Sequence, residues 1–132
     1  MPRRSRDRFL FLRRSADIER VKKEGHRIQT PLFNLVSCPS GAPDPQPSRI
    51  GIVVGKRLGL AVTRNRAKRL FRELSRQVRY DLVRGQDLVV FPRREAVTVK
   101  FQRLRDTWLS ALQHEGLLNL PSDLPCGKSS SL

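Results

Sequence analysis

The chain has 132 residues, enough for one compact domain with a single core. Lys and Arg total 27 against 12 Asp and Glu, a formal net charge of +15, which points to a polyanionic partner. No stretch approaches the roughly 20 successive apolar residues of a membrane span, and the charged N-terminus leads only into Phe9-Leu10-Phe11-Leu12, too short for a secretory signal. The expectation is a cytoplasmic protein without a membrane partner.

In chain order, residues 1–14 read as a basic arm. Ser15 is placed to cap a short helix and Gly25 to stop it. Ile18 and Val21 share one face, while Asp17 and Glu19 near the start and Lys22 and Lys23 near the end suit the helix dipole. Two strands follow at 32–36 and 50–54, apolar runs rich in β-branched and aromatic residues, joined by a loop holding Pro39, Pro43, Pro45 and Pro47. A long helix begins at Thr63-Arg64-Asn65-Arg66. Residues 88–91 read as a last strand stopped by Pro92, whose missing N–H opposes a continuing central strand.

Val97, Phe101, Leu104, Trp108, Ala111 and Leu112 then recur at helical spacing, with Thr98 as N-cap, Gly116 as C-cap and Trp108 as a core anchor. Residues 119–132 carry Pro121, Pro125 and Ser129-Ser130-Ser131 and too little apolar material to offset the entropy of ordering, so a disordered tail is expected. The predicted order is α-β-β-α-β-α, an α/β domain spanning 15–118 in which helices cover a small sheet.

The long helix is the informative element. At about 100° per residue from Arg64, the residues Arg64, Lys68, Arg72, Arg79, Arg76 and Arg69 fall between about 0° and 140°, whereas Leu70, Leu74, Ala67, Val78 and Phe71 fall between about 240° and 340°. A charge run on a helix is usually a solvated face balanced by acids three or four residues away. Here Glu73 is the only acid between Arg64 and Arg79. Like charges on one stripe repel unless an external polyanion screens them, which favours phosphate binding. At the helix start, Thr63 and Asn65 stand beside two guanidiniums, where free N–H groups and the dipole also favour an anion.

Several chemistries are excluded. Gly51-Ile52-Val53-Val54-Gly55-Lys56-Arg57 is one residue short of a P-loop and has Arg57 where a Ser or Thr must reach Mg²⁺. The acids Asp17, Glu73, Asp87 and Asp106 are scattered, unlike the converging carboxylates of a two-metal nuclease. His26 and His114 lack a partner pattern, and Cys38 and Cys126 have neither the number nor the spacing of a disulfide framework or zinc site. A sequence-specific DNA binder would want a tight helix-turn-helix, whereas the long helix follows a strand and a Gly-bounded turn. A structural RNA-binding protein of the ribosomal type remains an alternative on these residues.

The stretch RIGIVVGKRLGLAVTRNRAKRLFRE, from Arg49 to Glu73, resembles the signature of the protein subunit of bacterial ribonuclease P. The similarity runs from about Arg8 to about Leu118 and takes in the first helix with Gly25, the Arg64-Asn65-Arg66 segment, the strand after Gly85 and the final helix. It implies a two-layer α/β sandwich with a left-handed βαβ crossover, contrary to the usual right-handed rule. It also implies an accessory enzyme subunit with two partners, a catalytic RNA and precursor tRNA. The RNA holds the Mg²⁺ ions and cleaves off the 5′ leader, with no organic cofactor and no catalytic side chain from the protein.

By this resemblance Lys56, Arg57, Arg64, Asn65, Arg66, Lys68, Arg69 and Arg72 contact the catalytic RNA, and Thr63 caps their helix. A cleft between the first helix and the sheet holds the single-stranded leader, with Arg13, Arg14, Ile18, Lys22, Phe33 and Val36 as its candidates. The chain departs from the family pattern there. Ile18 stands where the family usually has Phe, and Lys22 where a second aromatic is common. Ile18 reads either as an apolar contact to a base or as core, and Lys22, with Arg13, Arg14 and Lys23, as a phosphate contact.

Overall fold

The computed structural model describes residues 10–12, 14–40 and 47–118. Expectations for most of the N-terminal arm, Arg13, the centre of the Pro-rich loop, and the tail with Cys126 lie outside these residues. The described elements are α1 (Ser15–Glu24), β1 (His26–Gln29), β2 (Phe33–Pro39), β3 (Arg49–Ile52), α2 (Ala61–Val78), β4 (Gln86–Pro92) and α3 (Phe101–His114). Short 3-10 turns at Lys56–Leu58 and Arg94–Val97 precede α2 and α3.

The order is thus α-β-β-β-α-β-α, one strand more than the sequence predicted. The additional strand, β1, has a single inward apolar residue, Ile28, between exposed polar neighbours, so it carries no apolar run. It forms because Thr30 organises a hairpin: its hydroxyl accepts the N–H groups of Leu32 and Phe33 and donates to the Phe33 carbonyl. Ile28 then pairs opposite Leu35.

The sheet order is β1-β2-β4-β3. β1 and β4 flank β2 antiparallel, whereas β3 and β4 are parallel neighbours connected through α2, a βαβ unit. Helices α2 and α3 cover one face. There Phe33, Phe71 and Trp108 meet edge to face, with ring centroids 5.6–5.7 Å apart, inside a core that includes Leu35, Ile50, Leu74, Leu88, Val90, Leu104 and Leu112. Helix α1 covers part of the other face, burying Val21 against Val36, Cys38, Val89 and Leu12. Leu10 and Leu12 are themselves buried, and the Leu12 N–H donates to the Ile50 carbonyl at 2.9 Å, so the folded unit starts before Ser15.

Caps differ from the predictions. Arg14, not Ser15, occupies the N-cap of α1, with no side-chain cap bond. Gly25 ends α1 as expected, but its φ is −81°, so a left-handed turn is not the reason for glycine. The reason is space: a Cβ there would lie 2.5 Å from both the Val21 carbonyl and Val36 Cγ1. Thr98 does not cap α3, whose N-cap is Lys100; the Thr98 hydroxyl instead donates to the Glu95 carbonyl and closes the preceding turn. Gly116 follows α3 at φ +70°, the left-handed conformation that glycine adopts without a steric penalty.

One polar cluster fastens α1 to the sheet. Asp87 is 1% exposed and receives Arg20 Nη2 from α1 together with Arg49 Nε at 3.2 Å and Nη2 at 3.1 Å from β3. Arg49 Nη1 also reaches Asp17 at 3.8 Å, and Arg20 Nη1 donates to the Pro39 carbonyl at 3.2 Å. A carboxylate this deep needs such partners to remain charged.

Candidate nucleic-acid interface

Helix α2 begins at Ala61 with Leu60 as an extended N-cap, so Thr63 is the third helical residue and does not cap the helix as predicted. The Leu60 carbonyl accepts the Arg64 N–H at 3.0 Å, and the first turn contains no acid. Ala67, Phe71, Leu74, Ser75 and Val78 are buried on the sheet side. Ser75 is tolerated there because its hydroxyl donates to the Phe71 carbonyl at 2.7 Å, four residues back.

The opposite side is basic. Asn65, Lys68, Arg69, Arg72 and Arg76 line one concavity of about 270 Å³ on α2. Asn65, Arg66, Arg69 and Arg72 are exposed, whereas Arg64 and Lys68 are half-buried. The Arg64 Nε is shut off from solvent without a hydrogen-bond partner. Glu73 turns toward its own helix, 3.7 Å from Arg76 Nη1 and 3.4 Å from Gln77 Nε2, so it neutralises none of the four residues from Arg66 to Arg72 that carry charge on the open side. Lys56 and Arg57 are exposed on the 3-10 turn that Leu58 anchors into the core. Arg57 does not extend the concavity on α2; it lines a second, larger cleft.

That cleft, of about 560 Å³, opens between the C-terminal end of α1 and the sheet. Lys22 forms its helix wall, Asn34 and Phe91 its floor, and Arg27, Arg93 and Arg94 its rim. Lys22 Nζ sits 5.9 Å from the centroid of the Phe91 ring. A third depression, of about 430 Å³, lies where Ile18 of α1 faces Lys68 and Arg72 of α2 across Phe11, Ile50 and Ile52. The half-buried Ile18 therefore borders the basic helix, while Lys22, one turn on, borders the larger cleft. Arg14 is exposed at the N-cap of α1.

Two predicted cleft residues are misplaced. Phe33 is 0% exposed and fills the core between Phe71 and Trp108, and Val36 is 1% exposed beneath Val21. Neither offers a surface on which a base could stack. Asn34 and Phe91, which the sequence reading did not name, line the cleft instead of Phe33 and Val36: they are directly opposed in the β2–β4 register. The period-2 alternation of the strands carried that signal, since Asn34 is the only polar residue in the run from Leu32 to Val36 and so marks the wetter face.

The described acids Asp17, Glu73, Asp87 and Asp106 lie on different elements. Asp17 and Asp87 do approach each other, but through the guanidinium of Arg49. Among the described residues there is no group of three His, Cys, Asp or Glu side chains placed to hold a metal ion. No helix among them is long and apolar enough to cross a membrane.

Comparison with known proteins gives a consistent result. Residues 7–115 match the family model described as Ribonuclease P. The chain is 36% identical over 109 residues to the ribonuclease P protein component of Thermotoga petrophila, covering 83% of this chain and 86% of that protein. It is 40% identical over 101 residues to the corresponding protein of Xylella fastidiosa, covering 76% and 71%. Among solved structures it is similar to the Staphylococcus aureus RNase P protein, with a TM-score of 0.71 at 27% identity over 82% of this chain and 96% of that one. The RNase P protein of Thermotoga maritima superposes with a TM-score of 0.69 at 32% identity, over 79% and 96%. A family match over most of the chain, repeated at the level of fold, shows that this protein belongs to the ribonuclease P protein-component family, the protein subunit of the tRNA-processing endoribonuclease.

Proposed function

We propose that this subunit binds the ribonuclease P RNA through α2 and the 5′ leader of precursor tRNA through the clefts beside α1, and thereby assists Mg²⁺-dependent removal of the leader. The observation that carries the reading is the segregation of α2. Its apolar residues are spent on the core, while Asn65, Lys68, Arg69, Arg72 and Arg76 share an open concavity that no described acid lines, the nearby Glu73 pairing with Arg76 at its far end. Phosphate oxygens are the natural occupants, because each neutralised phosphate also releases condensed counterions. Lys56, Arg64 and Arg66 extend the RNA contact around the start of α2.

The leader reading rests on the placement of Ile18 and Lys22 at two adjoining depressions, with Arg14 at the near end of the same helix. Arg57, grouped with the catalytic-RNA contacts by the resemblance, lines the larger cleft, which supports a leader contact for it instead. Catalysis is assigned to the RNA. Its Mg²⁺ ions are assigned mainly to RNA ligands, a reading supported by the lack, among the described residues, of any three His, Cys, Asp or Glu side chains grouped to hold a metal ion.

The test is reconstitution. The protein combined with its cognate RNA is expected to cleave precursor tRNA at lower Mg²⁺ than the RNA alone, because cations on α2 and around the cleft take over charge screening that free Mg²⁺ otherwise supplies. An unchanged Mg²⁺ requirement refutes the proposal.

A further inference from the structure

We propose that Tyr80, two residues past the end of α2, stacks against an unpaired base of the ribonuclease P RNA, with Arg79 holding the ring from behind, so that the RNA contact of α2 runs one turn beyond its basic concavity. The inference rests on reading α2 as the RNA-binding face and deepens that reading.

Tyr80 is 80% exposed. One exposed apolar side chain is ordinary on a protein surface; the surroundings of this one are not. The chain tightens as α2 ends, with the Arg79 N–H donating to the Arg76 carbonyl at 3.4 Å and the N–H groups of Asp81 and Leu82 both donating to the Val78 carbonyl, at 2.9 and 3.1 Å. Val78 and Leu82, on either side of Tyr80, are buried. The backbone is thus anchored where it carries a ring that stands in solvent. On the helical wheel that starts at Arg64, Tyr80 falls at about 160°, adjoining the basic stripe at about 0° to 140°. It lies one turn beyond Arg76, which lines the far end of the concavity.

The guanidinium of Arg79 sits 5.5 Å from the centroid of the Tyr80 ring. That cation–π contact steadies the ring and covers one of its faces. The exposure of the side chain leaves the other face open. An open aromatic face beside guanidiniums is the arrangement that takes up single-stranded RNA: the ring stacks on a base of any identity, and the cations meet the phosphates that flank it. Asp81 is the acid beside this pair, about 100° further round the helix axis. An apolar protein surface laid over the ring would draw the guanidiniums of Arg76 and Arg79 out of water, which is costly. An RNA strand instead brings phosphates to the same groups.

The experiment measures binding of the full chain to its cognate ribonuclease P RNA across a range of salt. Tyr80→Ala is expected to weaken binding about tenfold and to leave the slope of log K against log salt unchanged, because stacking releases no counterions. Tyr80→Phe and Tyr80→Trp keep a stacking face and should bind as wild type does. Tyr80→Trp also adds an exposed indole to a chain whose own tryptophan, Trp108, is buried, so RNA should quench its emission beyond any change seen in wild type. In the reconstituted holoenzyme, Tyr80→Ala should retain the full advantage of precursor tRNA over mature tRNA, which lacks a leader; that result also reports intact folding.

Wild-type affinity in Tyr80→Ala, weakened binding in Tyr80→Phe, or no added quenching in Tyr80→Trp overturns the proposal. Loss of the precursor advantage in Tyr80→Ala would assign the stacked base to the leader, and a changed oligomeric state of the RNA-free variant would make the ring a protein contact; either result also overturns it. Arg69→Ala combined with Arg72→Ala separates the two levels. If that variant flattens the salt slope while Tyr80→Ala has no effect, the stacking contact fails and the reading of α2 stands. If it changes neither affinity nor slope, the reading of α2 itself fails.

Discussion

Replacing Arg69 and Arg72 of α2 together by Ala should change how binding to the ribonuclease P RNA responds to salt. Both side chains are exposed, both line the concavity on α2, and neither makes an ion pair among the described residues. Ala is the strongest helix former, so the helix is not weakened. Each arginine bound to a phosphate contributes about 0.7 to 0.9 to the slope of log K against log salt. Losing two contacts flattens that slope by roughly 1.4 to 1.8. From roughly 50 to roughly 200 mM monovalent salt, a fourfold change, the affinity gap between wild type and variant should then narrow by about sevenfold to twelvefold. Filter binding or fluorescence anisotropy across that range measures it. Parallel lines on the logarithmic plot, with a constant gap, would show that these arginines do not meet phosphate, and the assignment of α2 as the RNA-binding face would fail.

Other substitutions separate structural from functional positions. Gly25→Ala places a methyl 2.5 Å from the Val21 carbonyl and Val36 Cγ1, and should cost about 2 kcal/mol, a fall in Tm on the order of 8 °C by thermal denaturation. Phe33→Leu removes the ring shared by Phe71 and Trp108 and should destabilise by about 1 to 2 kcal/mol in urea. It should leave the advantage of precursor over mature tRNA intact; loss of that advantage in a folded variant would return Phe33 to the leader site.

Much of this arrangement was legible in the residues because the two periodicities are strong where burial is one-sided. The 3.6-residue spacing from Leu104 through Trp108 to Leu112 and the segregation of α2 both reappear in the structure, with Leu70 only half-buried at the margin of the predicted apolar face. β1 was invisible because an edge strand needs only one inward residue, and Ile28 among polar neighbours gives no pattern. Caps were misassigned for a related reason. Ser15, Thr63 and Thr98 are all plausible caps, but no described helix uses a side-chain cap, so capping preference had no force here. The larger cleft was half legible: Lys22, named from the sequence, does line it, but an aromatic in an apolar strand can point to either face, and only the pairing of β2 with β4 shows that Phe33 points into the core and Phe91 into the cleft.

Asp87 links the stability of the fold to the geometry of the cleft, and its replacement tests that link. Arg20 and Arg49 converge on one buried carboxylate, and through them α1 is tied to β3 and β4. Asp87→Ala leaves two guanidiniums side by side with no counter-charge, which should cost about 3 kcal/mol, the low end for a broken buried pair because both arginines remain partly exposed. Where the variant still folds, α1 is held mainly by Val21 against Val36 and Val89, so Lys22 loses its fixed distance from Phe91. The advantage of precursor over mature tRNA should then decline while binding of the ribonuclease P RNA through α2 is preserved. Replacing Asp87, Arg20 and Arg49 together by Leu, Met and Met removes the unpaired charges and should restore most of the stability. A single Asp87→Ala variant as stable as wild type, or one that loses both RNA contacts in parallel, would mean that α1 is positioned by its apolar face alone and that the ion cluster has no part in shaping the cleft.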